Sequence, residues 1–168
     1  MYRSYRPKKN KTKRYTYILV TLFIFLILIL GFYLHKAKAP QNNAKNEAIS
    51  IAKSKAGLKD YQSFYSSNLY HTYYSVEGIN NKDKQIFVII DKDNGNTRVE
   101  ETKNGINNKQ IKQVLASKYK VKKILKNEIS IFNNKTVWIS TFINSNDKLN
   151  YVVIDFHNGS ILNSINNL

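Results

Sequence analysis

The chain has 168 residues, which allows one ordinary domain or two small ones and excludes a large multidomain enzyme. Its formal net charge is +16, from 27 Lys and Arg residues against 11 Asp and Glu residues. Because it has no cysteine, disulfides, thiolate metal sites, cysteine nucleophiles and a lipid-modified N-terminal cysteine are all excluded. The chain has only three histidines, which disfavours a histidine-rich catalytic metal centre.

The N-terminal segment combines a basic tail with a long apolar run. Residues 1–14 hold seven cations and no acid, and residues 15–34 are almost entirely apolar. As a helix, the run would span about 30 Å, which matches the hydrocarbon core of a bilayer. Only Lys36 and Lys38 follow it closely, so the positive-inside rule places the N-terminus in the cytoplasm and the C-terminal part outside. The sequence therefore predicts a cytoplasmic tail, 1–14, and a single transmembrane helix, 15–34, in the cell membrane.

The alternative interpretation of this segment is a cleaved secretory signal. Ala37-Lys38-Ala39 resembles the small-x-small cleavage pattern. However, the apolar run is longer than the roughly 7–15 residues of a signal peptide's apolar region, and Pro40 would follow the cut, where signal peptidases tolerate proline poorly. We therefore favour an uncleaved anchor, followed by a polar linker, 35–44. The short tail has no nucleic-acid-binding fold behind it, so we predict no nucleic-acid partner.

The remainder of the chain contains an internal repeat. Phe87–Asn96 aligns with Tyr151–Ser160 at an offset of 64 residues, with five identical residues and an aromatic residue at the head of both copies. The helical patterns that precede these segments also correspond, at an offset of 63 residues. The repeat predicts two similar units, 45–104 and 105–168.

Each unit is predicted to begin with an amphipathic helix. The first carries alanines along one face of residues 44–56 and ends at Gly57. The second begins after Asn107, whose side chain can form a capping box with Gln110, and its apolar stripe starts at Ile111.

Runs rich in β-branched and aromatic residues follow each helix and predict strands. They are Tyr61–Tyr65, Tyr70–Val76, Gln85–Asp91 and Thr97–Glu101 in the first unit, and Val121–Phe132, Thr136–Asn144, Leu149–Phe156 and Ser160–Ile165 in the second. Asn94-Gly95 and Asn158-Gly159 predict type I′ hairpin turns. The predicted fold class is α+β, with each helix laid on an antiparallel meander sheet. Since units of about 60 residues are marginally stable alone, we expect the two units to pack together.

No catalytic motif is present in the sequence, and we predict no catalytic, metal-binding or cofactor-binding residues and no small-molecule substrate. Asp91 and Asp155 occupy equivalent positions, three residues before each Asn-Gly turn, where a carboxylate accepts hydrogen bonds from turn amides. This role explains both residues without catalysis. His71 could bind a partner, although a half-buried strand residue is the simpler interpretation, and His157 is most simply a solvated turn residue.

Aromatic residues are the strongest candidates for docking a protein partner, because strand alternation cannot bury so many of them under one helix. The candidates are Tyr61, Phe64, Tyr65, Tyr70, Tyr73, Tyr74 and Trp138. For Trp138 a core position and an exposed anchor remain equal alternatives. Five lysines between Lys118 and Lys126 predict a solvated edge that could also contact anionic wall polymers.

Several short motifs, in their order and spacing along the whole chain, resemble the YpmB/TseB-like membrane proteins of Gram-positive bacteria. They are Asn46-Glu-Ala-x-x-x-Ala52, Tyr73-Tyr-Ser-Val-Glu-Gly78, Asn104-Gly-Ile106, Val137-Trp138 and Tyr151-x-x-x-Asp-Phe-x-x-Gly159. The sequence departs from the family at Ile139, where an acidic residue often follows the tryptophan. The resemblance implies two cystatin-like lobes, the second related to PepSY domains. It also implies a role in regulating cell-wall elongation through contact with a penicillin-binding protein.

Two function hypotheses follow. The first is a membrane-anchored, extracellular, non-enzymatic interaction module that regulates peptidoglycan elongation through a penicillin-binding protein. The alternative is an inhibitor or modulator of an extracellular peptidase, which the PepSY-like architecture suggests. A wall-degrading enzyme is disfavoured because the sequence offers no convergent acid and base.

Overall fold

The computed structural model describes the backbone of residues 11–168 and the side chains of residues 15–32 and 40–168. Of the predicted basic tail, residues 1–10 lie outside the described residues, as do the side chains of residues 11–14. The chain divides into two compact units, with the division between Asn43 and Ala44. Among the described residues, all strands belong to the unit Ala44–Leu168.

One helix, α1, runs from Lys11 to Ala56 and ends before Gly57, as predicted. Its segment Tyr15–Phe32 is the single helical stretch among the described residues that is long and apolar enough to cross a membrane. Residues 35–44, which the sequence predicts as a linker, are helical, and Pro40 lies inside α1. The segment contains three alanines, the residue type with the highest helix propensity, so its polar composition is compatible with a helix.

Two four-stranded antiparallel meanders follow α1, each in the order of the sequence. The first sheet consists of β1 (Leu58–Ser67), β2 (Tyr73–Asn80), β3 (Gln85–Asp91) and β4 (Thr97–Glu101). After a short 3-10 turn comes α2 (Asn108–Lys118), and the second sheet consists of β5 (Val121–Phe132), β6 (Lys135–Asn144), β7 (Leu149–Asp155) and β8 (Ile161–Ile165). The predicted α+β class and the predicted duplication are confirmed.

The predicted capping box of α2 is present. The Asn107 side chain accepts hydrogen bonds from the backbone N–H groups of Lys109 and Gln110, at 3.0 and 3.1 Å. In return, the Gln110 side chain accepts one from the Asn107 N–H, at 2.9 Å. These bonds satisfy donors that a helix N-terminus leaves free, which fixes where α2 begins.

The two sheets share a core. The end of α1 packs on one face of the first sheet, where Ala48 and Ala52 meet Val88 and other aliphatic residues. The opposite face of β3 contributes Phe87 and Ile89 to the main core, which α2 and the second sheet complete. Because β3 is buried on both faces, the two predicted units pack on each other, as expected from their small size.

The hairpin turns differ from the prediction. Gly95 and Gly159 have positive φ, at 68° and 74°, but neither preceding asparagine does, so these are not type I′ turns. Each glycine instead ends a four-residue loop, in which its N–H donates to the carbonyl of Asp91 or Asp155. The type I′ signature, two successive residues with positive φ, occurs at Asn133-Asn134 between β5 and β6.

Candidate interaction surface

The predicted aromatic docking set does not form one exposed patch. Four of its members are half-buried: Phe64 and Tyr74 pack against the cluster beneath α1, and Tyr65 and Tyr73 pack against the main core. The exposed members are Tyr61, at 37% exposure, and Tyr70, at 50%. Tyr61 lies within β1, whereas Tyr70 lies in the loop that follows this strand.

Trp138 belongs to the core, which settles the alternative left open by the sequence. Its side chain is 2% exposed, and its indole Nε1–H donates a hydrogen bond to the Ile106 carbonyl at 2.9 Å. Tyr65 and Phe87 contact it edge to face, with ring centroids 6.2 and 5.4 Å from its own. Trp138 therefore joins the two sheets and presents no surface to a partner.

A polar network borders a cleft of about 430 Å³ beside this aromatic cluster. The Tyr65 hydroxyl donates to Glu77 Oε2 at 2.7 Å, and the Gln85 amide donates to Glu77 Oε1 at 3.0 Å. Burial, and then the hydrogen bond to Glu77, raise the pKa of the Tyr65 hydroxyl above its ordinary value.

The loop 68–72, between β1 and β2, lies against the second sheet. The Tyr70 ring packs on Phe132 with centroids 4.9 Å apart, and its hydroxyl accepts a hydrogen bond from the Asn163 amide at 2.9 Å. Leu69 packs against a small apolar cluster on the second sheet. These contacts hold the exposed half of Tyr70 in a defined position, which no sequence periodicity could indicate.

His71 lies in the same loop and is exposed, so the interpretation as a half-buried strand residue is wrong. Its Nε2 is 3.0 Å from Asp91 Oδ1 and 3.5 Å from Asp93 Oδ2. The hydrogen bond to Asp91 raises the pKa of His71, and the same bond lowers the pKa of Asp91. These three side chains could together hold a metal ion. The sequence did not indicate this grouping, because His71 precedes Asp91 by 20 residues.

Both repeated aspartates have the predicted structural role. Asp91 Oδ1 accepts the Asp93 N–H at 2.9 Å, and its Oδ2 accepts the Asn94 side-chain amide at 3.0 Å. Asp155 Oδ1 accepts the backbone N–H groups of His157 and Asn158, at 2.9 and 3.2 Å. The two carboxylates thus close equivalent turns, one on each sheet.

The lysines of α2 and β5 form a second candidate surface. All five members of the predicted solvated edge are exposed, as expected: Lys118, Lys120, Lys122, Lys123 and Lys126. Three of them, together with Lys112 of α2, line an open groove of about 630 Å³.

Comparison with known proteins connects this fold to cell-wall growth. Residues 47–91 match the family model of the cell wall elongation regulator TseB-like domain. The YpmB protein from Bacillus subtilis, a solved structure, has a TM-score of 0.65 at 21% sequence identity, covering 72% of this chain and 95% of that chain. No curated protein sequence matches. Residues 47–91 thus match the TseB-like domain, and the fold is similar to that of the YpmB protein; both findings support the predicted resemblance to the YpmB/TseB-like family.

Proposed function

We propose that this protein is a membrane-anchored, non-enzymatic regulator of cell-wall elongation whose C-terminal domains lie outside the membrane. The observation that carries this proposal is the match of residues 47–91 to a domain of cell wall elongation regulators. Residues 45–104 would form a cystatin-like unit and residues 105–168 a PepSY-like one. The apolar segment Tyr15–Phe32 supports the anchor, and the positive-inside rule supports the orientation.

The proposed partner is a penicillin-binding protein anchored in the same membrane. Two proteins confined to one surface have a high effective concentration, so a weak interface is sufficient for regulation. A regulator that acts by contact needs a few well-placed anchors rather than a deep pocket.

The surface that we favour for this contact is centred on Tyr70. Interface hot spots are enriched in tyrosine, and a side chain already held in place loses little conformational entropy on binding. Tyr70 meets both conditions, since it is half exposed and is held by Phe132 and Asn163. Tyr61 is a second anchor, within β1, where Lys45 Nζ lies 4.7 Å from its ring centroid.

Capture of partners from crosslinked membranes tests the proposal. The double variant Tyr61→Ala/Tyr70→Ala should lose capture of the penicillin-binding protein. The single variants identify which of the two tyrosines contacts the partner. Leu125→Ala is the matched control, because Leu125 is also apolar and exposed, at 47%, but lies in the lysine-lined groove. Leu125→Ala should keep the wild-type thermal midpoint, whereas variants with Tyr70→Ala should lower it, because they lose the packing on Phe132 and the hydrogen bond from Asn163. Capture is therefore compared at a temperature at which every variant is folded.

Two outcomes would contradict this assignment. Undiminished capture by the folded double variant would exclude the tyrosines as anchors. Recovery of a peptidase instead of a wall synthase would favour the alternative function, an inhibitor or modulator of an extracellular peptidase.

A further inference from the structure

Two β-bulges give β5 an unusual surface. In a regular strand, successive side chains alternate between the two faces, whereas each bulge inserts one extra residue. The pairing of β5 with β6 shifts register between Val121 and Lys123, and again between Ile124 and Lys126. As a result, Val121 and Ile124 are half-buried, and the two residues that follow each of them are exposed. The exposed residues are Lys122, Lys123, Leu125 and Lys126.

These lysines form one wall of the groove, and α2 contributes Lys112 to the other. The groove is lined by lysine, asparagine and apolar residues, and none of the lining residues is acidic. The sequence accounts for the positive charge of the groove, because eight lysines and no acidic residue occur between Glu101 and Glu128. A concentration of like charge of this kind attracts polyanions and is sensitive to salt.

The types of residue that line the groove indicate which class of polyanion it binds. Binding of single-stranded nucleic acid relies on aromatic side chains that stack on bases, and the groove is lined by no aromatic residue. Its cations are lysines, which act as mobile point charges, rather than arginines, which recognise fixed carboxylates or phosphates through two parallel hydrogen bonds. A concave groove also accommodates one chain at a time, whereas a bilayer presents a flat surface.

We propose that the groove between α2 and β5 binds an extended phosphodiester polymer, with Lys112, Lys122 and Lys123 contacting its phosphates. Half-buried Val121 and Ile124 form an apolar floor beneath the uncharged parts of the polymer. The inference deepens the proposed function, and rests on it, because a polymer of this chemistry meets the groove only if the domain faces the cell wall. The groove would then hold the regulator against the wall while the Tyr70 surface remains free for a protein partner.

Binding of fluorescent poly(glycerol phosphate) to the full chain in phosphatidylcholine nanodiscs tests this site. In the variant Lys112→Gln/Lys122→Gln/Lys123→Gln, we expect the affinity to fall at least about tenfold at roughly 0.1 M salt. The slope of log K against log salt should decrease in magnitude by about 2, or roughly 0.7 for each phosphate that is no longer neutralised by a lysine. Lys126 is left unchanged because its ammonium lies 2.8 Å from the nearly buried carboxylate of Glu128. Lys122 also has an ion-pair partner, Asp147, but that carboxylate is exposed, so a polymer phosphate can compete with it.

The control variant Lys53→Gln/Lys82→Gln/Lys92→Gln removes the same charge from exposed positions outside the groove and should bind like wild type. The variant Lys112→Arg/Lys122→Arg/Lys123→Arg keeps the charge and should retain binding. Weak binding by the glutamine variant can then be attributed to lost charge rather than to a disrupted fold. Any of three results would overturn the proposal. The first is an equal loss of affinity in the groove and control variants. The others are stronger binding to single-stranded DNA or to anionic vesicles than to the polymer, and no polymer binding at all. None of these outcomes affects capture of a penicillin-binding protein, which tests the proposed function separately.

Discussion

At the scale of single residues, Asp91 links two parts of the first sheet. Its carboxylate accepts hydrogen bonds from the turn that follows it and also contacts His71 from the β1–β2 loop. Asp155 has the same bonds to its turn, but its nearest cation is Lys135, at 4.0 Å. The repeat therefore preserved the turn-closing role of the aspartate, while of the two aspartates Asp91 is the one paired with a histidine.

The His71–Asp91 pair predicts a stability that depends on pH. The pKa of His71 is raised above its ordinary 6.5, so its contribution is complete below pH 6.5 and is lost as the pH rises through the folded-state pKa. The pKa of Asp91 is lowered from 3.8, so its contribution is present above pH 3.8 and is lost as the pH falls through the folded-state value. His71→Asn should therefore lower the thermal midpoint most between these two values.

Thermal unfolding across pH checks this prediction, and the difference between His71→Asn and wild type should disappear at alkaline pH. His157→Asn is the comparison variant, because His157 is also exposed but lies 3.5 Å from Glu100 rather than beside Asp91, so that its replacement leaves the His71–Asp91 pair intact. A deficit that stays constant from acid to alkaline pH would mean that His71 contributes by packing on Tyr73 rather than by charge.

At the scale of elements, side-chain composition and periodicity predicted the helices and strands, because apolar and β-branched residues mark the faces that pack in the cores. They did not predict the bulges of β5, since two extra residues change the alternation without any marker in the sequence. The two Asn-Gly pairs also led to a prediction of type I′ turns, which was wrong. The loops are longer because Asp91 and Asp155 hold the turn amides, which leaves only the glycines with positive φ.

The glycine positions predict unequal effects in the two hairpins. Gly95→Val and Gly159→Val should each lower the free energy of unfolding by about 1 kcal/mol or more, because a β-branched residue disfavours positive φ. The loss should be larger for Gly159, where the Cβ alone would already touch Val114 and Ile106, at 3.5 and 3.6 Å, so that the two methyl groups of valine would be crowded, whereas Gly95 faces open space.

Chemical denaturation of both variants measures this difference. If both left the free energy of unfolding unchanged, the conformation assigned to these loops would be wrong. An equal loss in the two variants would show that backbone strain alone, without the packing beside Gly159, determines the cost.

At the scale of the whole molecule, the distribution of aromatic residues explains why the candidate docking surface was only partly predictable. Strand alternation indicated a surplus of aromatics, but it could not show that Tyr65 and Tyr73 fill the core shared by the two sheets. It likewise could not show that Tyr70 rests on a strand 62 residues further along the chain, at Phe132. Such contacts depend on the packing of one sheet against the other, which local periodicity does not encode.

Both proposed interactions require the unit Ala44–Leu168 to face outward, and the charges that flank the apolar segment predict this orientation. Seven cations precede residues 15–34, whereas two lysines follow them closely, and a cytoplasmic position of the more basic flank is the strong preference of single-pass proteins. Protease added outside wall-stripped cells should therefore digest the C-terminal unit and leave an epitope fused before Met1 protected. Replacing the seven cations with glutamine should weaken or invert this protection, while the same change at seven exposed lysines of the C-terminal unit should not. A mature N-terminus at Pro40 would instead show that the segment is a cleaved signal, and the anchor would be lost with it.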